Sequence, residues 1–145
     1  MTSDDVELVQ STFEQVKPIG EAAAAQFYAR LFEVAPEVRP LFHGDMAEQG
    51  RKLIATLAVV VGSLHSLPAI LPAVSALAKK HVSYGVKPEH YEAVGQALLW
   101  TLERGLGPAW TPSAAAAWGA AYTTLSDFMI AEAYAPPDGA SKPAA

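Results

Sequence analysis

Residues 79–95 read KKHVSYGVKPEHYEAVG. This stretch holds the end of one helix, a tight connection and the start of the next. Gly85 stands just past the first helix, where a left-handed residue is wanted and glycine adopts it without steric cost. Pro88 falls in the first turn of the second helix, where its missing N–H costs nothing and its fixed φ suits the backbone. Tyr91 and Val94 open an apolar stripe that Leu98 and Leu102 continue, at the spacing of one helix face. On the preceding helix His81 lies one turn beyond Leu77, so its imidazole shares that helix's apolar face.

The same spacing recurs in both directions from here. Upstream, helices are expected over 4–17, 19–34, 46–66 and 71–84. The first has Ser3 as a candidate N-cap and the stripe Val6, Val9, Phe13, Val16. The second carries Phe27, Leu31 and Val34, with Tyr28 and Phe32 beside them. Between the second and the 46–66 helix, Pro36 opens a short helical piece, PEVRPLF, and the loop HGD follows. The 46–66 helix sets Leu53, Leu57, Val60, Val61 and Leu64 on one side. Downstream, helices are expected over 88–105 and 111–134. The last begins with Thr111 as N-cap before Pro112 and carries Trp118, Tyr122, Leu125 and Met129. No convincing period-2 segment interrupts the series. Seven helical segments of unequal length with short connections predict an all-α domain whose helices cross steeply. Residues 1–135 form that domain, and 136–145, PPDGASKPAA, has no apolar stripe and is expected to be a flexible tail.

Composition narrows the function classes. A chain of 145 residues suits one domain, and 51% hydrophobic against 17% charged residues is a globular balance. The net charge of −5 argues against non-specific nucleic-acid binding, which needs clustered Lys and Arg. With no cysteine, disulfides, Cys–zinc sites, thiolate catalysis and thioether-linked cofactors are excluded. The most apolar run, LIATLAVVVGSL at 53–64, is shorter than the ~20 residues that cross a bilayer. MTSDDVEL at the N-terminus is acidic and is not a secretory signal. A cytoplasmic protein without membrane attachment is expected. No GxGxxG, GxxxxGK[ST], HExxH or GxSxG occurs. Metal chemistry would have to come from His43, His65, His81, His90 and carboxylates. A helical histidine on an apolar face serves as a core residue bonded to backbone or as a ligand, and the residues alone leave both open for His81. His43 and His65 read as surface residues and His90 as a local cap.

The ordered set FYARLF, PEVRPLF, Gln49, HVSYGV, HYEAVG, then AW and a tyrosine, resembles the single-domain bacterial haemoglobins and the globin half of flavohaemoglobins. The resemblance covers roughly residues 3–134. It implies a globin fold of about seven helices around a pocket for non-covalent haem b. It makes His81 the axial ligand of the iron, Gln49 the distal residue, Tyr28 the distal tyrosine and Phe42 the aromatic wedged against the porphyrin. Leu53 and Leu57 line the apolar remainder, and Tyr91 matches the tyrosine on the proximal side. Arg51, Lys52 and Lys79 or Lys80 are candidates to meet haem propionates.

The implied function is reversible binding of dioxygen for storage or delivery, with nitric oxide or carbon monoxide as further ligands. Nitric oxide dioxygenase activity would follow given a separate reductase, since flavohaemoglobins carry flavin and nicotinamide domains beyond the globin. In that family a glutamate of the last helix supports the proximal histidine. Here its place falls on Ala133, with Glu132 one residue earlier and about 100° away around the helix. The alternatives are a six-coordinate redox or gas-sensing globin and a haem-free interaction module. A monomer or homodimer is expected, without a nucleic-acid or membrane partner.

Overall fold

The computed structural model describes residues 1–134, so the expected tail at 136–145 lies outside the described residues. Six α-helices follow in order: α1 Ser3–Val16, α2 Gly20–Val34, α3 Met46–Gly62, α4 Leu67–Ser83, α5 Pro88–Leu106 and α6 Pro112–Ala133. No strand occurs among the described residues. The all-α expectation holds, and the short third segment is a 3-10 turn, Pro36–Leu41. Pro40 inside it has no N–H to give to a helical ladder.

Local chemistry explains the helix ends. Thr2, not Ser3, caps α1: its hydroxyl accepts the Asp5 N–H at 3.1 Å, and the Asp5 carboxylate accepts the Thr2 N–H at 3.0 Å. Thr111 caps α6 as expected, accepting the Ala114 N–H at 3.1 Å. Gly85 takes φ +96° just past α4. The boundary between α3 and α4 departs from expectation. The third α-helix ends at Gly62, a 3-10 turn spans Leu64–Ser66, and α4 begins at Leu67 rather than Leu71. Pro68 lies in the first turn, where no N–H is needed, and the helix runs on through Pro72 at the loss of one backbone bond.

Packing forms two bodies. The larger joins Val9, Phe13 and Val16 of α1, Phe27 and Leu31 of α2, and Leu98 and Leu102 of α5 to Trp118 of α6. The buried indole N–H of Trp118 donates to the Thr12 hydroxyl at 2.8 Å, so its one polar atom is satisfied. The smaller joins Val74 and Ala78 of α4 to Tyr91 of α5 and Met129 of α6. Helix α3 packs on α2 and α1, helix α4 on α6, and α3 and α4 do not pack extensively on each other. Gly50 permits the close approach of α3 to α2: a Cβ there would stand 3.0 Å from that of Ala24.

Burial is uneven. Helix α5 buries eight of its 19 residues and α2 six of 15. Helix α3 buries only Gly50 and Val61 of 17, and α4 only Val74 and Ala78 of 17. Of the expected stripes, that of α1 is buried throughout. Val34 of α2 is 39% exposed, and on the α3 side Leu53, Leu57, Val60 and Leu64 are only half-buried. No single helix among the described residues is long and apolar enough to cross a membrane; α3 and residues 64–83 together reach that length but bend by 56°.

Candidate cofactor site

The seven residues singled out by sequence divide between the two bodies of packing. Tyr28, Phe42, Leu53 and Leu57 belong with the larger one, and Gln49 stands on the same helix as the two leucines. Tyr91 belongs to the smaller one, and His81 lies on α4, which forms its other side. Helices α5 and α6 contribute to both bodies and hold them together; α3 and α4 are where they part.

On the α3 side, Tyr28 is held in an aromatic cluster. Its ring meets Phe42 edge-on at 5.3 Å and Phe27 edge-on at 4.9 Å, and stacks on Phe32 at 6.1 Å. Phe32 and Phe42 meet edge-on at 5.4 Å, which fixes the turn carrying Phe42 against α2. Burial pushes the Tyr28 hydroxyl above its ordinary pKa, and the neighbouring Gln49 side chain draws it partly back. The phenol is therefore a neutral donor at physiological pH, and Gln49 acts on the same oxygen. Residues 49, 53 and 57 repeat every four along α3, so they share one face.

On the α4 side, the His81 Nδ1 lies 2.7 Å from the Leu77 carbonyl. A carbonyl only accepts, so in the neutral ring Nδ1 carries the proton and Nε2 keeps its lone pair. That is the tautomer a metal ligand needs. His81 is half-buried, and its one ring hydrogen bond among the described residues is that of Nδ1.

Tyr91 is buried, and its hydroxyl has no hydrogen-bond partner among the described residues. Burial raises its pKa, and the neighbouring Tyr134 adds to the rise. Its backbone carbonyl is fixed from the other side by the Tyr122 hydroxyl at 2.5 Å. Glu132 accepts the Ser75 hydroxyl at 2.7 Å, tying α6 to α4, while Ala133 packs in the cluster around Tyr91. Ser75 thus takes up the carboxylate, and no carboxylate hydrogen-bonds to Tyr91 or His81 among the described residues.

Sequence reasoning missed the Ser75–Glu132 and Tyr122–Tyr91 bonds, for which separations of 57 and 31 residues give no local signal. The Leu77 carbonyl was findable, since it lies one helical turn before the imidazole. His43 and His65 are exposed, as expected. His90 accepts the Lys87 N–H at 3.0 Å and caps the start of α5.

The donor set fits a flat apolar ring bearing a metal. No group of three or more His, Asp or Glu among the described residues converges on a metal, so a metal here would have to bring its other ligands with it. The half-buried Phe42, Leu53 and Leu57 on one side and Leu77, Val86 and Leu125 on the other offer apolar surface for such a ring to cover. The orphaned Tyr91 hydroxyl is a donor without an acceptor near it. Two surface grooves of about 420 and 430 Å³ lie elsewhere, one against Ile19, Gln26 and Arg104, the other against Gln10, Phe13 and Val61, and neither includes any of the seven residues.

The Globin family model matches residues 25–129. A flavohemoprotein of Bordetella parapertussis is 39% identical over 126 residues, which are 85% of this chain and 31% of that protein. A flavohemoprotein of Vibrio cholerae is 32% identical over 90% of this chain and 34% of its own length. This chain therefore spans about a third of the length of the curated relatives it matches. The solved structure of a bacterial globin from Campylobacter jejuni overlays it with a TM-score of 0.79 at 26% identity, covering 91% of this chain and 96% of that one.

Proposed function

The chain is a member of the globin family with the globin fold, and from that footing we propose that it is a haem protein that binds dioxygen reversibly. Haem, when bound, supplies an iron that can take a gas ligand. The observation that carries the reading is the placing of the donors on different helices: a histidine on α4 whose Nδ1 is held by the Leu77 carbonyl, and a phenol on α2 beside an amide on α3.

Each residue has a separate task in this reading. His81 offers Nε2 to the metal, and its bond to the Leu77 carbonyl holds the ring plane and tautomer. Tyr28 and Gln49 hold hydrogen-bond donors where a bound gas with partial negative charge would lie. Each such bond is worth on the order of 1 kcal/mol. Leu53, Leu57 and Phe42 keep water from that space and cover the ring. With Glu132 bound to Ser75, the imidazole leans on a neutral carbonyl rather than a carboxylate. A neutral partner raises ligand basicity less than a charged one, which favours holding a gas over activating it. Nitric oxide dioxygenase chemistry is then a side activity that depends on an electron donor.

The test is the visible spectrum of the haem-loaded protein when ferric, reduced and oxygenated. The reading expects a Soret band that moves on reduction and again with oxygen, and recovers when oxygen is removed. A reduced spectrum with sharp split bands and no response to oxygen would replace it with a six-coordinate redox role.

A further inference from the structure

Helix α4 closes in a turn that bonds back to the histidine. The Val86 N–H donates to the His81 carbonyl at 3.0 Å and the Gly85 N–H to the Val82 carbonyl at 3.0 Å, with Gly85 at φ +96° between helix and connection. This pair of bonds is the Schellman closure of a helix end, and it joins Val86 to the His81 backbone. The Tyr84 N–H adds a bond to the His81 carbonyl at 3.1 Å. The outward side of the same turn is different. No backbone N–H among the described residues donates to the Val86 carbonyl, and Pro88 just beyond has none to give. A half-buried carbonyl needs a partner, and the Tyr134 hydroxyl supplies it.

Tyr134 stands at the end of α6, where its own N–H donates to the Ile130 carbonyl at 3.0 Å. Its side chain crosses to the α4–α5 connection, 48 residues back in the chain. A second tyrosine of α6 acts in the same way further along. The Tyr122 hydroxyl holds the Tyr91 carbonyl, and its ring fills the space over Gly95, where a Cβ would stand 2.7 Å from it. Helix α6 thus grips the connection at both ends. The Ser75–Glu132 bond also ties α4 to α6, but further back along α4 than His81. The bond from Nδ1 to the Leu77 carbonyl sets the imidazole relative to its own helix. It leaves the position of that helix end open, and the Tyr134 bond sets it.

We propose that Tyr134 is a positioning residue for His81: its hydroxyl holds the Val86 carbonyl, and through the closing turn it fixes the distance and tilt at which the imidazole meets a bound ring. The proposal rests on the haem reading above. It gives the task of anchoring the histidine from α6 to a neutral hydroxyl on a backbone carbonyl, while Glu132 is taken up by Ser75. An anchor on the backbone restrains where the imidazole stands and leaves its tautomer, set by Leu77, unchanged. Its loss is felt as a looser or displaced bond from Nε2 to the metal. The effect is modest, since Tyr134 is 36% exposed and water can replace its hydroxyl at the carbonyl.

The test compares Tyr134→Phe, which keeps the ring and deletes the hydroxyl, with Gln10→Met, which deletes a side-chain bond to the Val61 carbonyl on α3. Hydrogen–deuterium exchange of the full haem-free chain reads the anchor without the cofactor. The Val86 and Tyr84 amides should exchange faster in Tyr134→Phe and as in wild type in Gln10→Met. Resonance Raman scattering from the haem-loaded, reduced, gas-free protein reads the iron–imidazole stretching band, which should shift or broaden in Tyr134→Phe alone. Haem transfer from that variant to apomyoglobin should quicken about threefold, toward the low end of one hydrogen bond's worth. Exchange at Val86 equal to wild type overturns the proposal. So does faster exchange with an unmoved band, which would leave Tyr134 a tie of the turn alone. An equal shift in both variants overturns it too, since that is general loosening. A wild-type chain without a Soret band after haem is added overturns the haem reading and this proposal with it, whereas failure in a chain that shows the band counts against the proposal alone.

Discussion

Helices α2 and α5 cross in the core and bury six and eight residues, whereas α3 and α4 are as long as these and bury two each. The difference is not in composition, since α3 and α4 are on average more apolar than α2 and α5. It lies in what the helices face. In α2 and α5, apolar side chains meet apolar side chains. In α3 and α4, a full share of apolar residues has too few protein partners, and the candidate ligand residues sit among them. An apolar wall without a protein partner marks the place of a ligand. One pair of helices holds most of the core, and the other leaves apolar surface uncovered beside the candidate site, to which α2 and α5 lend Tyr28 and Tyr91.

The largest effect that would break this contrast comes from His81→Ala. Haem affinity should fall by about a hundredfold or more, beyond what outer-shell changes at a metal site cost. The haem-free protein should lose no more than ~1 kcal/mol, the value of one hydrogen bond. Haem titration and urea unfolding separate the two. Next comes a matched pair of truncations. Leu31→Ala removes a side chain that is 1% exposed and should cost ~2–5 kcal/mol with or without haem. Leu57→Ala should cost well under half of that without haem, yet weaken haem retention. Equal costs would mean that the two helix pairs are built alike.

Tyr28→Phe is a smaller perturbation. Loss of one donor worth about 1 kcal/mol should speed oxygen release roughly fivefold. A stopped-flow off-rate equal to wild type would remove Tyr28 from contact with the gas. The smallest effect is in pH. Burial holds the Tyr28, Tyr91 and Tyr122 hydroxyls above their ordinary value near 10. As pH rises, the unfolded chain releases these protons before the folded one does. The stability they contribute is therefore complete below pH 10 and falls as pH climbs above it. Urea midpoints taken on either side of that value should show the fall, and Tyr122→Phe should shallow it.

Much of this was legible in sequence, for reasons that are local. Gly85, Pro88 and Thr111 act within one turn, and their roles follow from backbone geometry alone. The start of α4 was misread because Pro68 and Pro72 look like breakers; one is free in a first turn, and packing on α6 carries the helix past the other. The cap of α1 shifted by one residue, since Thr2 and Ser3 are chemically equivalent and only the Asp5 partner decides between them. In the site, spacing put His81 on an apolar helix face, and the resemblance, not spacing, singled out Tyr28 and Gln49 as candidates beside it. What they do not encode is where Glu132 turns, because its partner Ser75 is 57 residues away and on another helix.

The most direct test of the central claim is hydrogen–deuterium exchange of the full chain with and without added haem. The account expects exchange to slow chiefly in Met46–Gly62 and Leu67–Ser83, with little change in Gly20–Val34 and Pro88–Leu106. Haem that does not bind, or that protects all six helices alike, would contradict the division of labour between the two pairs.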